Sequence, residues 1–573
     1  MANRSSFDVS RYTGLVAGVA TIAAVGAGLV LFNQTNKEFR SKSKLKRRLT
    51  LSETRKVSNG DIRGKTGANS DANGASENVA PTPQTQVYRH TTVADELTGS
   101  IETTCMVMVG MPGRGKTAIA NRTAQYLRFF HGLDCEVFNP GAQRGAWAET
   151  VYGKGHKWAS TKGDSNHTDL FDDSDGELVA LRRRMFLDTL DNVKQFLAVG
   201  QARARVAIFD AANATRERRA EVYTQLKKLG KVAVIFVEVT ALDTMVENSK
   251  VEFSGEDGGP GGRPENVAEY MKNVERFAAT YEPIACAKER GLVGENEEDI
   301  EEDYSYIKCI EHGSQLVYNN IRGYMPGRIA QFLSSTSRNT WQRCRGKRLF
   351  FSRHGQSENN KLGRIGGDTG LTEAGERYAL ALAAHAEKHL CVDPSAARTS
   401  DEFPCRLWTS SLQRTQLTAR HIPQTLIMQD GYPFKQMNPR VWKNLDEIYA
   451  GACDGMTYEE IEEQYSAEAK ARAADKLTYR YPRGESYLDV IERLEPLVHE
   501  IERHTESLLI VGHQGVLRML LAFYSGVPRS EAPFLELKLN HVTTLKPHAF
   551  GCEAEVVNLL EAVTLGDDGQ KQM

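Results

Sequence analysis

Two histidines and two arginines stand near the ends of apolar runs in the second half of the chain. Arg353-His354-Gly355 follows one such run, and His513 follows another. Arg414 lies shortly after a third run. Ligands of open α/β sheets bind at the carboxyl ends of strands, so these side chains are expected to share one site. One imidazole can attack phosphorus and carry the phosphoryl group as phosphohistidine. The guanidiniums can hold the phosphate oxygens, and we expect His513 to add a cationic donor.

Glu447 is the candidate proton donor for the leaving alkoxide. A carboxyl group can serve as a general acid if burial keeps it protonated. A single histidine is more often a hydrogen-bonded core or surface residue. The Arg-His-Gly triplet together with a late strand-Gly-His pattern favours a catalytic site at His354.

A glycine-rich loop in the first half of the chain forms the second constellation. It follows an apolar run, opens a helical stretch and matches G-x-x-x-x-G-K-[ST] through Gly110, Gly113, Gly115, Lys116 and Thr117. Such a loop curls backbone N–H groups around a phosphate at a helix N-terminus. Lys116 is expected to reach the β- and γ-phosphates, and Thr117 to ligate Mg²⁺. A structural glycine-rich turn is the alternative.

A second strand-like run, Val206–Phe209, ends in Asp210. An acid at the end of a buried strand can organise a metal ion or act as a base, so Asp210 is a candidate catalytic residue of the nucleotide site.

The elements that must position these groups alternate along the chain. Strand-like runs at Cys105–Val109, Val206–Phe209 and Val232–Val237 are separated by helical stretches, which predicts an α/β fold with a mostly parallel sheet. A second α/β unit is predicted to begin near Arg348.

Composition limits the functional classes. The 573 residues exceed one hydrophobic core, and a net charge of −2 gives no general attraction to nucleic acid. Nine cysteines without a C-x-x-C pair indicate reduced thiols in a cytosolic or cytosol-facing enzyme, without disulfides or structural zinc.

Residues 14–32 contain no charged side chain, and at 1.5 Å per residue they would span about 28 Å, close to the hydrocarbon thickness of a bilayer. The basic flank at 37–65 predicts an uncleaved anchor with the catalytic body in the cytosol. The segment is similar to mitochondrial outer-membrane signal anchors, and an endoplasmic reticulum anchor also fits. A cleaved signal peptide and a buried soluble helix of a cytoplasmic protein are the alternatives.

The phosphatase-like half resembles the 6-phosphofructo-2-kinase/fructose-2,6-bisphosphatase family. The resemblance rests on RHGQSENNKLGRIGGDTGL (353–371), LWTSSLQRTQLTA (407–419), LDEIYAGACDGMTYEEI (445–461), YRYPRGESY (479–487) and VGHQGVLR (511–518). It implies that His354 is the nucleophile and Glu447 the general acid. Groups that it places around the 2-phosphate are Arg353, Asn360, Gly366, Arg414 and His513. Groups that it places around the sugar and its 6-phosphate are Tyr458, Arg472, Lys476, Tyr487, Gln514 and Arg518. A phosphoglycerate mutase shares the Arg-His-Gly chemistry but lacks a P-loop partner.

The kinase-like half is similar to the same family through GMPGRGKT, FDAANATRERR (209–219) and YNNIRGYMPGRI (318–329). Of the family's sugar-phosphate groups, four arginines and a tyrosine, the chain keeps Arg144 and Arg182. Gln125, Asn273 and Phe277 stand at the other positions. Lys250 matches the nucleotide-binding lysine of the family, before a glycine-rich insertion.

The resemblance therefore implies a P-loop kinase-like parallel-sheet domain followed by a histidine-phosphatase (phosphoglycerate-mutase-like) α/β domain. The expected divisions are an anchor segment (1–36), a basic then polar linker (37–100), the kinase-like domain (101–335), the phosphatase domain (346–555) and a C-terminal tail (556–573). The leading hypothesis is a fructose-2,6-bisphosphatase joined to an ATP-binding kinase-like half that is impaired or silent. A fully bifunctional enzyme and a membrane-tethered sensor remain alternatives. Expected ligands are fructose 2,6-bisphosphate, fructose 6-phosphate, and ATP with Mg²⁺; the phosphatase half is expected to need no cofactor. A homodimer is left open.

Overall fold

The computed structural model describes residues 103–141, 176–198, 204–240, 275, 277–284, 300–336, 347–392, 404–429, 431–548 and 551–561. The segment 14–32 and the predicted site residues Arg144, Lys250 and Asn273 lie outside these ranges. Within them, no helix combines the length and apolar character needed to cross a bilayer.

The first domain contains a six-stranded sheet. Its strands are β1 (Thr103–Val109), β2 (Asp134–Phe138), β3 (Arg205–Phe209), β4 (Val232–Thr240), β5 (Ser305–Ile310) and β6 (Gln315–Asn319). The order is β2-β3-β1-β4-β5-β6, with parallel pairing throughout except between β5 and β6. Central strands are almost wholly apolar because helices cover both faces. The predicted parallel sheet is confirmed.

Within the described ranges, the helices of this domain are α1 (Lys116–Phe130), α2 (Gly176–Ala198), α3 (Arg216–Lys227) and α4 (Tyr324–Thr336). Helix α1 begins directly after Gly115, whose φ of 81° is left-handed and suits glycine. Helix α3 begins at a true cap, since the Thr215 side chain accepts from Arg218 N.

The second domain is built on another six-stranded sheet. Its strands are β7 (Leu349–Arg353), β8 (Cys405–Thr409), β11 (Pro439–Val441), β12 (Ser507–Gly512), β13 (His541–His548) and β14 (Gly551–Asn558), while β9 (Leu426–Gln429) and β10 (Tyr432–Lys435) form a separate hairpin. The order is β11-β8-β12-β7-β13-β14. Because β7, β8 and β12 run parallel, their carboxyl ends meet at one edge.

The second domain's helices are α5 (Glu358–Lys361), α6 (Glu373–His389), α7 (Gln413–Ala419), α8 (Tyr458–Gln464), α9 (Ser466–Ala474), α10 (Tyr487–Arg503) and α11 (Gln514–Tyr524). Helices α7 and α11 start close to the carboxyl ends of β8 and β12. The N-terminus of each helix therefore lies at the edge where these strands end.

One hydrophobic core is continuous across the two domains, because α1 and α4 pack on α10 and α11. Phe130 meets Phe523 with ring centroids 5.1 Å apart, and the Tyr126 hydroxyl donates to Glu495. Gln125 donates its amide to the Phe523 carbonyl. The expectation that Gln125 faces a sugar-phosphate pocket is therefore wrong, since its side chain is directed at the second domain.

Candidate active site

His354 lies at the carboxyl end of β7, buried and held by two backbone contacts. Its N–H donates to the Gly512 carbonyl at 3.0 Å, which links β7 to the end of β12. Its Nδ1 lies 2.7 Å from the Gly355 carbonyl. A carbonyl can only accept, so Nδ1 carries the hydrogen and Nε2 keeps its lone pair. Burial and the charges of Arg414 and Arg353 lower the pKa of His354 to about 3, so the imidazole is neutral at physiological pH.

The close packing around residue 355 explains why a glycine follows His354. A Cβ at this position would lie 2.4 Å from the Gly375 carbonyl oxygen and 2.9 Å from Gly375 Cα. The Gly355 N–H also donates to Thr418 Oγ1 at 2.9 Å. The close approach of α6 therefore fixes the carbonyl that orients His354.

His513 lies opposite, with its ring centroid 5.1 Å from that of His354. Arg414 Nε donates to His513 Nδ1 at 3.2 Å, and Ser410 Oγ lies 2.7 Å from Nε2. Burial and the nearby charge of Arg414 hold the pKa of His513 well below its usual range. In this arrangement Nδ1 accepts from a guanidinium and the ring is neutral, so a cationic donor requires a proton to be added at Nδ1, and that role of His513 stays a prediction.

The remaining groups around the two histidines are Arg414 of α7, Arg353 of β7 and Asn360 of α5, and specific contacts hold each of them. Arg414 Nη1 donates to the Gly367 carbonyl at 2.6 Å, and Arg353 Nη1 to the Leu537 carbonyl at 2.9 Å. Arg353 Nε is buried without a hydrogen-bond partner in the described part of the chain. Asn360 uses its oxygen in a capping box with Ser357, so only its amide nitrogen could donate to a ligand.

Gly366 lies beside Gly367 in the loop that follows α5, and its φ is 68°. A Cβ there would meet Asp454 Oδ1 at 1.7 Å, and Asp454 Oδ2 accepts from the Gly367 N–H at 3.0 Å. Only glycine permits this close packing of the loop on Asp454. The loop thereby presents the Gly367 carbonyl to Arg414.

Glu447 is half-buried at the start of α11. Its Oε2 accepts from the Gly515 N–H at 3.2 Å, and its Oε1 from the Ile448 N–H at 2.9 Å. Glu447 therefore lies one helical turn or less from His513, which directly precedes α11. The position fits a proton donor beside the histidine pair.

A second cluster of cations combines Arg518 of α11 with Arg472 of α9 and with Lys476, which follows α9. Lys476 Nζ and Arg518 Nη1 both donate to the Pro533 carbonyl. Burial, together with the charges of Arg518 and Arg472, lowers the pKa of Lys476 to about 8. Like charges gathered this closely form a site for a dianion.

Tyrosines surround this cluster. Arg472 Nη2 lies 3.4 Å from the Tyr458 hydroxyl, and Arg518 Nη1 donates to the Tyr487 hydroxyl at 3.2 Å. Gln514 supplies the carbonyl that accepts from Arg518 Nε at 3.1 Å. The six residues predicted for the sugar and its 6-phosphate therefore belong to one group of neighbouring residues, and Gln514 directly follows His513.

The nucleotide-binding loop of the first domain has the geometry that its sequence predicts. Gly110, Gly113 and Gly115 all have left-handed φ, of 136°, 71° and 81°. At Gly110 a Cβ would lie 2.5 Å from the Val239 carbonyl oxygen. Lys116 Nζ donates to the Met111 carbonyl at 2.6 Å, which directs the ammonium back over the loop.

Asp210 is buried at the carboxyl end of β3, which pairs with the strand that leads into the loop. It accepts from Asn139 Nδ2 at 2.7 Å. Thr117 occupies the first turn of α1. Hydroxyl, carboxylate and phosphate oxygens suit Mg²⁺, which takes few protein ligands. Among the described residues no group of three His, Cys, Asp or Glu side chains could hold a metal ion.

Two further residues that the sequence aligned with the sugar-phosphate site of the kinase-like half, Arg182 and Phe277, lie within the described ranges. Arg182 lies half-buried on α2. Phe277 lies half-buried within 277–284.

Three residues that organise the site escaped sequence reasoning. Ser410 contacts His513, Asp454 holds the glycine loop, and Arg493 donates to the carbonyls of Asn444 and Asp446 at 2.6 and 2.7 Å. The first two lie inside motifs that already indicated the site. Arg493 lies on α10, far in sequence from the acid loop that it holds, and gave no local signal.

Comparison with known proteins agrees with this architecture. Family models for 6-phosphofructo-2-kinase and for the histidine phosphatase superfamily (branch 1) match residues 93–339 and 349–560. The 6-phosphofructo-2-kinase/fructose-2,6-bisphosphatase of Gallus gallus is 34% identical over 464 residues, covering 80% of this chain and 86% of that protein. The 6-phosphofructo-2-kinase/fructose-2,6-bisphosphatase 1 of Rattus norvegicus is 33% identical over 469 residues, covering 81% and 86%.

Among solved structures, the alpha-ribazole phosphatase from Shigella flexneri aligns with 37% of this chain and 96% of its own, at 24% identity and a TM-score of 0.30. That likeness is too low to support an argument. The curated relatives and both domain matches instead place the chain in the 6-phosphofructo-2-kinase/fructose-2,6-bisphosphatase family.

Proposed function

We propose that the second domain hydrolyses the 2-phosphate of fructose 2,6-bisphosphate through a phosphohistidine on His354. We also propose that the first domain binds ATP with Mg²⁺ but phosphorylates fructose 6-phosphate weakly.

The observation that carries the phosphatase proposal is the pair of anion sites along α11. His513 directly precedes this helix at the histidine pair, and Arg518 on the next turn belongs to the cluster with Lys476. A monophosphate would need one such site. A sugar with two phosphates uses both, one at the reacting centre and one as a handle that orients it.

The first step follows from the geometry of His354. Its Nε2 lone pair attacks the phosphorus while Nδ1–H stays bonded to the Gly355 carbonyl, which stabilises the positive charge that develops on the ring. Arg353 and Arg414 balance the charge on the phosphate oxygens. The bond from phosphorus to the sugar oxygen breaks, and Glu447 is positioned to give that oxygen a proton.

In the second step, water attacks the phosphohistidine and releases inorganic phosphate. Glu447, now ionised, takes the proton of that water, so one residue serves as acid and then as base. The sugar product, fructose 6-phosphate, leaves from the cluster of Lys476, Arg472 and Arg518.

In the first domain, the residues present fit a nucleotide with its metal ion. The glycine loop and Lys116 would hold the phosphates, and Thr117 and Asp210 would face the metal. When bound, Mg²⁺ neutralises charge on the transferred phosphoryl group.

The weak kinase rests on the sugar-phosphate side of that domain. The Phe277 side chain offers no hydrogen-bond donor, and Asn273 carries no charge. Each lost charge-assisted bond costs about 1.5–3 kcal/mol. Two of them would lower kcat/KM by roughly two to four decades.

A fully bifunctional enzyme is the second candidate. It is favoured by the P-loop geometry, with three left-handed glycines and a directed Lys116. The two candidates differ only in the rate of synthesis.

The test measures hydrolysis and synthesis of fructose 2,6-bisphosphate by the full-length chain. We expect hydrolysis to dominate, with His354→Ala abolishing it and Lys116→Met leaving it near the wild-type rate. Synthesis with a micromolar KM for fructose 6-phosphate, at a turnover comparable to hydrolysis, would refute the weak-kinase proposal and support a fully bifunctional enzyme. Absence of hydrolysis would refute the phosphatase proposal.

A further inference from the structure

The side of His513 that faces away from Arg414 is held by a pair of buried hydroxyls. Ser410 Oγ lies 2.7 Å from His513 Nε2 and 3.0 Å from Thr415 Oγ1. Ser410, Thr415 and His513 are all completely shielded from solvent. The contact is therefore made inside the protein, where the position of each hydrogen matters.

The hydrogens of this cluster can be assigned by counting. Arg414 Nε can only donate, so His513 Nδ1 carries a lone pair and the neutral ring has its hydrogen on Nε2. Ser410 Oγ accepts that hydrogen and also the Leu412 N–H at 3.1 Å. The Ser410 hydroxyl then donates to Thr415, whose own hydrogen goes to the Leu412 carbonyl at 2.9 Å.

In this arrangement, the lone pair of His513 Nδ1 is on the same side as Arg414. A phosphate that draws the guanidinium toward its oxygens would leave that lone pair opposite negative charge, which is repulsive. The repulsion disappears if Nδ1 takes up a proton. Nε2–H then stays on Ser410, and the resulting imidazolium donates to the phosphate.

We propose that Ser410, backed by Thr415, is a positioning residue that fixes the Nε2–H form of His513, so that Nδ1 gains one proton when a phosphate binds. The inference rests on the proposed phosphatase function. The N–H bond formed at Nδ1 is balanced by the O–H bond broken in the proton donor, which is hydronium from solvent or the phosphate monoanion.

The charged and titratable groups around His513 explain why the uptake depends on the anion. Arg353 and His354 face it from β7, Arg414 from α7 and Arg493 from α10, and each of them disfavours a second proton on the ring. Glu447 lies at the adjoining end of α11. A bound dianion adds two negative charges to this largely cationic surrounding and reverses the balance.

The experiment uses inorganic sulfate, a dianion that carries no proton near neutral pH, so that every proton taken up belongs to the protein. Binding to the full-length chain is measured by calorimetry at pH 6.5 in buffers of different ionisation enthalpy. At this pH Lys476, with a pKa of about 8, is already charged and contributes little. The background variant is His354→Ala, which removes uptake by the other histidine.

We expect about one proton per bound sulfate in His354→Ala and the same in His354→Ala with Ser411→Ala, since Ser411 donates to Asp446 and not to His513. Adding Ser410→Ala instead should abolish the uptake and weaken sulfate binding by roughly 10- to 100-fold. Nitrogen-15 spectra of histidine-labelled wild-type protein give an independent readout. Without sulfate, they should show His513 protonated at Nε2 only. With sulfate, they should show it protonated at both nitrogens.

Sulfate binding without proton uptake, or full uptake in the Ser410→Ala variant, would overturn the inference. If the chain hydrolyses fructose 2,6-bisphosphate under these outcomes, the proposed function stands. If uptake occurs as expected but no hydrolysis is seen, the function fails and the role of Ser410 stands. Absence of sulfate binding to the wild-type protein would overturn the inference, whereas only absence of hydrolysis would overturn the proposed function.

Discussion

Replacing Gly355 by alanine should disable the nucleophile while leaving substrate binding nearly intact. The new Cβ would lie 2.4 Å from the Gly375 carbonyl oxygen, about 1 Å inside ordinary contact distance. The nearest atoms, the carbonyl oxygen and Cα of Gly375, belong to the backbone at the start of α6, so residue 355 must move. Its carbonyl accepts from His354 Nδ1, so the imidazole moves with it. A misplacement of about 1 Å costs about 10²-fold in rate.

We therefore expect Gly355→Ala to lower kcat for fructose 2,6-bisphosphate by roughly 10- to 100-fold, with KM changed by less than about threefold, because the Lys476 cluster is untouched. Overpacking should also lower the free energy of unfolding by about 1–3 kcal/mol. Gly370→Ala is the matched control, since its Cβ would meet nothing closer than 4.0 Å. Rapid-quench measurement of phosphohistidine formation isolates the first step. A variant whose kcat stays within twofold of wild type would show that the Gly355 contact does not position His354.

Three other predictions concern separate parts of the chain. Lys476 has a pKa lowered to about 8, so it loses its charge as the pH rises. KM for fructose 2,6-bisphosphate should therefore increase roughly tenfold from pH 7 to 9, and Lys476→Arg should flatten that profile. Glu495→Gln should reduce the free energy of unfolding by about 1–3 kcal/mol in chemical denaturation, because Glu495 accepts from Tyr126 across the two domains, whereas the exposed Glu492→Gln should change little. Residues 14–32 should make the full-length chain resistant to carbonate extraction with its catalytic domains open to cytosolic protease, and a fully soluble chain would contradict this.

The fold class and the catalytic edge followed from the sequence because they depend on local patterns. Apolar runs that end in His354, His513 and Asp210 predict parallel strands whose ends carry chemistry, and the structure places each residue at such an end. Glycines were equally informative. At Gly110 and Gly355, a neighbouring backbone leaves no room for a Cβ atom, which gives a physical reason for the glycines of both motifs.

The protonation of His513 could not be predicted, because it depends on which groups meet the ring. Sequence reasoning assigned a cation from residue type alone. The structure adds Arg414 Nε on Nδ1 and full burial, and together they make the ring neutral. The role of Ser410 is likewise invisible without the 2.7 Å contact between residues 103 positions apart.

Gln125 was misassigned for a related reason. Its place on α1, between two and three turns beyond the nucleotide loop, gave no indication of which face meets a neighbour. That face packs on α11 of the second domain, and the amide is used there. Contacts between domains carry no periodic signature in either segment.

The most direct test of the phosphatase assignment is transfer of label from fructose 2,6-bisphosphate carrying radioactive phosphate at position 2. Full-length protein is mixed with this substrate, quenched within milliseconds in alkali, which preserves phosphohistidine, and digested for mass spectrometry. We expect label on His354 alone, formed at least as fast as phosphate is released, and absent from His354→Ala together with turnover. Phosphate release by His354→Ala at a rate near that of wild type, or label on a different residue, would contradict the account.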